Sequence, residues 1–149
     1  MGIQVRNLQS KIPLNSSQVK KIVKAILKYQ RINEFSLNIV FVTNSAIKKL
    51  NKKFLGRGYA TDVLSFDLRD KFFYKRKEVA GEVVICAEAA VKNAKIYGND
   101  LKNEIALYIV HGILHLLGFD DSRPKEIKRM RRKEQEILRH LDARINGLI

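Results

Sequence analysis

The sequence predicts an α+β fold, in which a small, mostly parallel mixed β-sheet of about four strands packs with about five α-helices. Three observations predict this class: strand and helix patterns alternate in the first half of the chain, helical patterns dominate the second half, and 46% of the 149 residues are hydrophobic. A chain of this length and composition can bury one core without disulfides. We therefore expect residues 1–149 to form a single domain.

The chain begins with alternating strand and helix signals. Residues 3–8 predict a short strand, and the apolar residues that follow Asn15 recur at helical spacing with lysines between them. Residues 35–42 predict a second strand, which becomes apolar on both faces. Such a strand is typical of the inside of a sheet.

The next segment predicts a helix and two further strands. A short helix begins after Thr43 and is broken by the glycines at positions 56 and 58. Strands are expected over residues 63–68 and 81–87. The polar, basic and aromatic stretch 69–78 between them predicts a loop or a hairpin tip.

Helical signals dominate the rest of the chain. Residues 88–97 predict a helix that ends at Gly98, and a very apolar helix begins after position 99 or 100. The last helix has Pro124 in its first turn. Its apolar stripe is formed by Ile127, Met130, Ile137, Leu138 and Leu141.

The charge balance favours a polyanionic partner. The chain has 29 Lys and Arg residues against 15 Asp and Glu residues, which gives a formal net charge of +14. Such an excess favours a nucleic acid, with a membrane surface as the weaker alternative.

Cysteine usage and the N-terminal sequence indicate a compartment. Cys86 is the only cysteine and lies in an apolar run, so we expect a buried core residue, no disulfide-linked partner and a reducing environment. No apolar run near the N-terminus is long enough for a signal sequence or a spanning helix. We therefore expect a soluble, cytoplasmic protein that does not bind a membrane.

The run V-H-G-I-L-H-L-L-G-F-D-D at residues 110–121 predicts a metal site. On a helix, His111 and His115 leave one face side by side. Gly118 can adopt a positive φ and turn the chain back, which would bring Asp121 towards the two imidazoles. Two histidines, one carboxylate and an open fourth position are typical of catalytic zinc. The alternative is a pair of core histidines with other buried partners.

Four blocks of sequence carry a resemblance to a known family. Leu50-Asn51, T-D-V-L-S-F at 61–66, G-E-V-V-I-C at 81–86 and the histidine run resemble the YbeY family of bacterial endoribonucleases. The resemblance implies a metal-dependent endoribonuclease specific for single-stranded RNA. It further implies one Zn²⁺ ion on a metalloprotease-like helix, action on the 3' end of small-subunit ribosomal RNA, ribosome quality control, and RNA or the small ribosomal subunit as partner.

The chain departs from the family pattern at two functional positions. Asp121 stands where the family has its third histidine, with Asp120 as an alternative donor. Leu55 stands where the family has an arginine. The resemblance makes Arg57, two residues further on, the candidate catalytic arginine, because its planar guanidinium can match two phosphate oxygens.

Two basic segments are candidate RNA-binding surfaces. The first segment, residues 69–77, mixes aromatic and cationic residues, which suits base stacking and phosphate neutralisation. The alternative is that this segment is a hairpin tip whose aromatic residues pack on the domain or on a partner. Its candidate RNA contacts are Arg69, Lys71, Phe72, Phe73, Tyr74, Lys75 and Arg76. The second is the cluster at positions 128–133 of the last helix.

Two other functions stay open at this point. A metalloprotease has an overlapping motif, but in that class a glutamate general base follows the first histidine, and here the position holds Gly112. An RNA-binding module is the third hypothesis, because both departures from the family fall on functional positions.

Overall fold

The computed structural model of the protein describes residues 2–56, 61–69 and 77–149. Four strands and five α-helices lie within these ranges, which confirms the predicted α+β class. In chain order they are β1 (Gly2–Asn7), α1 (Ser16–Tyr29), β2 (Glu34–Val42), α2 (Asn44–Leu55), β3 (Val63–Asp67), β4 (Glu78–Cys86), α3 (Ala87–Tyr97), α4 (Leu101–Leu116) and α5 (Pro124–Leu141). A 3-10 helix follows at Asp142–Gly147. Within the described ranges, no helix combines the length and apolar character needed to span a bilayer.

The four strands form one mixed sheet in the order β1-β2-β4-β3. β2 pairs in parallel with both β1 and β4, and β3 pairs antiparallel to β4. β3 and β4 are thus consecutive in the chain and antiparallel neighbours in the sheet. The sheet is therefore mostly parallel, with its antiparallel strand at one edge.

The central strands are buried on both faces. The main core contains Leu37, Ile39 and Phe41 of β2 together with apolar residues of α1, α4 and α5. The opposite face of the sheet carries a smaller cluster formed by Val40, Val42, Ile47, Leu64, Val84 and Cys86. This arrangement confirms that β2 becomes apolar on both faces and that Cys86 is buried.

β4 begins at Glu78, three residues before the predicted start at Gly81. The glycine lies inside the strand at a crowded position, where a Cβ atom would lie 2.6 Å from the Phe66 carbonyl oxygen of β3 and 2.9 Å from Leu116 Cδ2 of α4. The glycine therefore allows close helix–sheet packing, and reading it as a strand boundary was wrong.

Candidate metal centre

Helix α4 positions two histidines by packing directly on β3 and β4. Its contact point is Gly112, where a Cβ atom would overlap Val83 Cγ1 and would lie 3.2 Å from Val63 Cγ1. The Ser65 hydroxyl donates a hydrogen bond of 2.9 Å to the Gly112 carbonyl oxygen. His111 immediately precedes this contact, so the close packing fixes the height of its ring above the sheet.

A turn after α4 brings a carboxylate back to the histidines. Gly118 has a φ of +96°, which side chains rarely tolerate. Asp120 then shapes the loop, because its carboxylate accepts the Asp121 N–H at 2.7 Å and the Ser122 hydroxyl at 3.0 Å. These hydrogen bonds lower the pKa of Asp120. Asp121, rather than Asp120, is therefore the carboxylate that faces the two imidazoles.

Three ligand atoms converge at this point. The Nε2 atoms of His111 and His115 lie 3.0 Å apart. The Asp121 Oδ2 atom lies 3.6 Å from the first and 3.5 Å from the second. Tetrahedral zinc with bonds of about 2.0–2.1 Å needs ligand atoms separated by about 3.3 Å. The donor set and its spacing therefore fit a metal ion, and two ring nitrogens this close need a proton or a cation between them.

The ligands differ in exposure. The two histidine side chains are 27% and 28% exposed, whereas the Asp121 side chain is 46% exposed. The alternative of two core histidines therefore does not describe this pair, because one side of α4 faces an open pocket. Partial exposure suits a catalytic site, since substrate has to reach the metal.

A fourth residue, Glu134 of α5, belongs to this centre and was missed by sequence reasoning. Its Oε2 atom lies 3.4 Å from Nδ1 of His111, on the opposite side of the ring from Asp121. Burial alone lowers the pKa of His111, but the hydrogen bond and charge of Glu134, with the charges of Asp121 and Asp62, raise it above its ordinary value. The signal that could have found Glu134 is a carboxylate in the apolar stripe of α5.

The histidines and Asp121 line a pocket of about 470 Å³. The other lining residues come from α2, α4, β3 and the segments that flank β3: Asn51, Leu55, Thr61, Asp62, Val63, Leu64, Ser65, Phe66, Asp67 and Leu116. The family's arginine position, Leu55, thus opens onto the pocket. Arg57, the predicted catalytic arginine, lies outside the described residues.

Arg69, predicted as an RNA contact, makes several contacts within the protein, and its role in RNA binding stays a prediction. Its guanidinium pairs with Asp67 Oδ2 at 2.7 Å and donates to the carbonyl oxygens of Glu78 and Leu116 at 3.1 and 2.9 Å. Its side chain is only 13% exposed. Arg69 therefore ties the end of β3 to β4 and to the carboxyl end of α4, where a cation is favourable.

The remaining residues of the predicted aromatic and basic surface cannot be compared with this geometry. Lys71, Phe72, Phe73, Tyr74, Lys75 and Arg76 lie outside the described residues. The second predicted surface is on α5, where the Arg129 guanidinium lies 5.0 Å from the Phe119 ring centre and Lys133 pairs with Glu136 at 3.0 Å.

The structure gives a physical reason against the metalloprotease hypothesis. The residue after the first histidine is Gly112, which faces the sheet rather than the pocket and has no room for a side chain. A general base of the protease type therefore has no place beside His111. The fold and the donor set instead define an α+β domain whose helix and following loop can hold one catalytic metal ion.

Comparison with known proteins identifies the family. The sequence profile described as Endoribonuclease YbeY matches residues 4–142. A protein named Endoribonuclease YbeY from Carboxydothermus hydrogenoformans is 38% identical over 139 residues, which are 91% of this chain and 94% of its own length. One of the same name from Pelotomaculum thermopropionicum is 37% identical, over 95% of this chain and 98% of its own length. This chain belongs to the YbeY family of endoribonucleases, enzymes that hydrolyse RNA.

A solved structure agrees with the fold. The solution structure of a Thermotoga maritima protein superposes with a TM-score of 0.64 at 27% sequence identity. The match covers 93% of this chain and 88% of that protein. The two proteins therefore share their overall fold over most of both chains.

Proposed function

We propose that this chain is a metal-dependent endoribonuclease that cleaves single-stranded RNA at a zinc site formed by His111, His115 and Asp121. The observation that carries the proposal is the convergence of three ligand atoms, all within 3.6 Å of one another, in an open pocket of a YbeY-family chain. When bound, zinc supplies a Lewis acid that acidifies water and polarises a phosphoryl oxygen.

The residues of the chain are proposed to bind the metal ion and the scissile phosphate. Each histidine presents Nε2 as a neutral donor, and the Asp121 carboxylate adds one negative charge that a third histidine would not add. Arg57, which follows the pocket residue Leu55 by two positions in the sequence, is proposed to hold the scissile phosphate. A guanidinium suits this role because its planar donors match two phosphate oxygens and the charge that develops on them.

A basic helix beside the pocket supports RNA as the substrate. Exposed lysines of α2 lie at positions 48, 49, 52 and 53. At the end of the same helix, Phe54 is 55% exposed and contacts the pocket residue Phe66 with ring centres 5.3 Å apart. An exposed aromatic ring next to cations suits an unpaired base and its phosphate.

We further propose the cytoplasmic processing of small-subunit ribosomal RNA at its 3' end, and ribosome quality control, as the setting of this activity.

The metal and cleavage proposals are tested together with His115→Ala. The third histidine of the chain, His140, supplies the matched control, because its ring lies against Tyr29 with centres 4.4 Å apart and not at the metal centre. We expect His115→Ala to lose bound zinc and cleavage of single-stranded RNA, with zinc affinity falling by more than about 100-fold. His140→Ala should retain both.

The measurements are metal content by mass spectrometry and cleavage of labelled single-stranded and duplex RNA of one sequence. Equal cleavage by the wild type and His115→Ala would overturn the proposal. Retained RNA binding without cleavage in the zinc-loaded wild type would favour the RNA-binding module instead. Digestion of casein under the same conditions would restore the protease hypothesis.

The charge of the chain predicts a salt-sensitive interaction with RNA. Phosphate neutralisation by lysine and arginine releases counterions, so log Kd should rise linearly with log salt, with a slope of about 0.7 for each phosphate contact on a single strand. The binding of a single-stranded oligonucleotide at several salt concentrations measures this slope. A flat dependence would contradict the electrostatic part of the proposal.

A further inference from the structure

The burial of Glu134 needs an explanation. Glu134 is 7% exposed and lies on α5 in a stripe whose other buried members are Met130, Ile137 and Leu141. A carboxylate in such a stripe is costly unless a partner satisfies it. Among the residues that the structure describes, its polar contact is with Nδ1 of His111 at 3.4 Å.

The His111 ring connects this carboxylate to the metal centre. Nδ1 points to Glu134 on α5, whereas Nε2 points to His115 and Asp121. An imidazole that donates a proton from Nδ1 has its free electron pair on Nε2, where the ion would bind. The geometry thus selects one of the two tautomers of His111.

We propose that Glu134 is a positioning residue of the metal centre, which accepts the Nδ1 proton of His111 and holds Nε2 ready for the metal. The inference rests on the proposed zinc site and extends it to a second helix. A carboxylate behind a metal-binding histidine fixes the orientation of the ring and makes the ligating nitrogen a better donor. The last long helix therefore takes part in metal binding without contacting the ion.

Zinc affinity of matched α5 variants tests the proposal. Glu134→Leu removes the acceptor and the charge, and Glu134→Gln keeps an acceptor oxygen. Glu136→Leu is the control, because Glu136 lies on the same helix but pairs with Lys133 and Tyr29. We expect a 10–100-fold weaker zinc Kd for Glu134→Leu, a smaller loss for Glu134→Gln, and a change below about twofold for Glu136→Leu, measured by chelator competition.

Thermal unfolding of the metal-free proteins separates positioning from a structural role. Glu134→Leu leaves the Nδ1 proton of His111 without its acceptor and should lower the unfolding temperature, whereas Glu134→Gln keeps an acceptor oxygen and should unfold close to the wild type. Weaker zinc binding in a variant that is no less stable therefore supports the proposal. Wild-type zinc affinity in both Glu134 variants would overturn it.

Nuclear magnetic resonance of the wild type gives an answer that does not depend on the variants folding. Long-range proton–nitrogen spectra at about pH 9, where imidazoles are neutral, distinguish the two tautomers. We expect the proton of His111 on Nδ1, and a proton on Nε2 would overturn the proposal. If the wild type binds zinc but cleaves no RNA, the proposed function fails while zinc affinity and the tautomer still decide the role of Glu134.

Discussion

The two halves of the metal centre are held in different ways. His111 and His115 stand on α4, which is pressed against the sheet at Gly112, whereas Asp121 stands on a loop that turns at Gly118. A side chain at Gly112 would collide with Val83, but a Cβ atom at Gly118 would meet nothing within 4 Å. The histidines thus depend on the packing of the core, and the aspartate depends on the local conformation of the backbone.

The largest effect is expected from a substitution that disturbs the packing of α4 on the sheet. Gly112→Val should lower the free energy of unfolding by about 3 kcal/mol, because the new side chain overlaps Val83 and Val63 in the core. Urea denaturation measures this loss. Gly147→Ala is the control, since a Cβ atom there meets only the Gln18 side chain, at 3.1 Å or more. An unchanged midpoint for Gly112→Val would show that α4 is free to lift from the sheet.

Substitutions of Asp121, on the loop after α4, should affect zinc affinity more than the stability of the fold. Asp121→Ala removes one ligand, and we expect zinc affinity to fall by more than about 100-fold. Its side chain is 46% exposed, so the free energy of unfolding of the metal-free protein should change by less than about 0.5 kcal/mol. Asp121→His restores the ligand type of the family and should bind zinc within about tenfold of the wild type. Loss of binding in Asp121→His would show that the loop fits only a carboxylate.

Arg69 connects the end of β3 to the carboxyl end of the histidine helix. Arg69→Met should lower the free energy of unfolding by about 1–3 kcal/mol, because it removes the charged donor that joins Asp67 to the carbonyl oxygens of Glu78 and Leu116. Arg123→Met is the matched control: that side chain is 83% exposed and its pair with Glu126 is 3.7 Å long. The two denaturation curves test this structural role of Arg69, and equal stability of the two variants would contradict it.

The smallest effect is expected at the turn. Gly118→Ala places a side chain at a φ of +96°, which should cost about 1–2 kcal/mol of backbone strain. The new methyl group contacts nothing within 4 Å, so the loop can relax and carry Asp121 with it. We therefore expect zinc affinity to fall while α4 remains packed, as measured by chelator competition and circular dichroism. Unchanged zinc affinity would show that the conformation of the turn at Gly118 does not determine the position of Asp121.

Local sequence patterns predicted the features that depend on local geometry. The four-residue spacing of His111 and His115 determines that they share a helix face, and Gly118 marks the turn that brings Asp121 back. The alternation of apolar residues in β2 likewise predicted a strand inside the sheet.

The residues that sequence reasoning missed depend on long-range packing. The apolar stripe of α5 marks Glu134 as a residue that turns inward, but its contact with His111 also requires α5 to lie across α4, which no local pattern indicates. The basic and aromatic neighbours of Arg69 predict an RNA surface, but they do not indicate that its guanidinium contacts β3, β4 and α4. Gly81 resembles a strand boundary until the helix above it is known.

The close approach of α4 to the sheet also restricts how this protein can evolve. A lineage that gains a glutamate at position 112 by one substitution would place that side chain into Val83 and lose stability before it gained a new general base. Peptide hydrolysis of the metalloprotease kind would first require smaller residues on β3 and β4. The evolution of peptide hydrolysis in this protein would therefore begin with substitutions in the core, before any substitution at the site where the new activity would be selected.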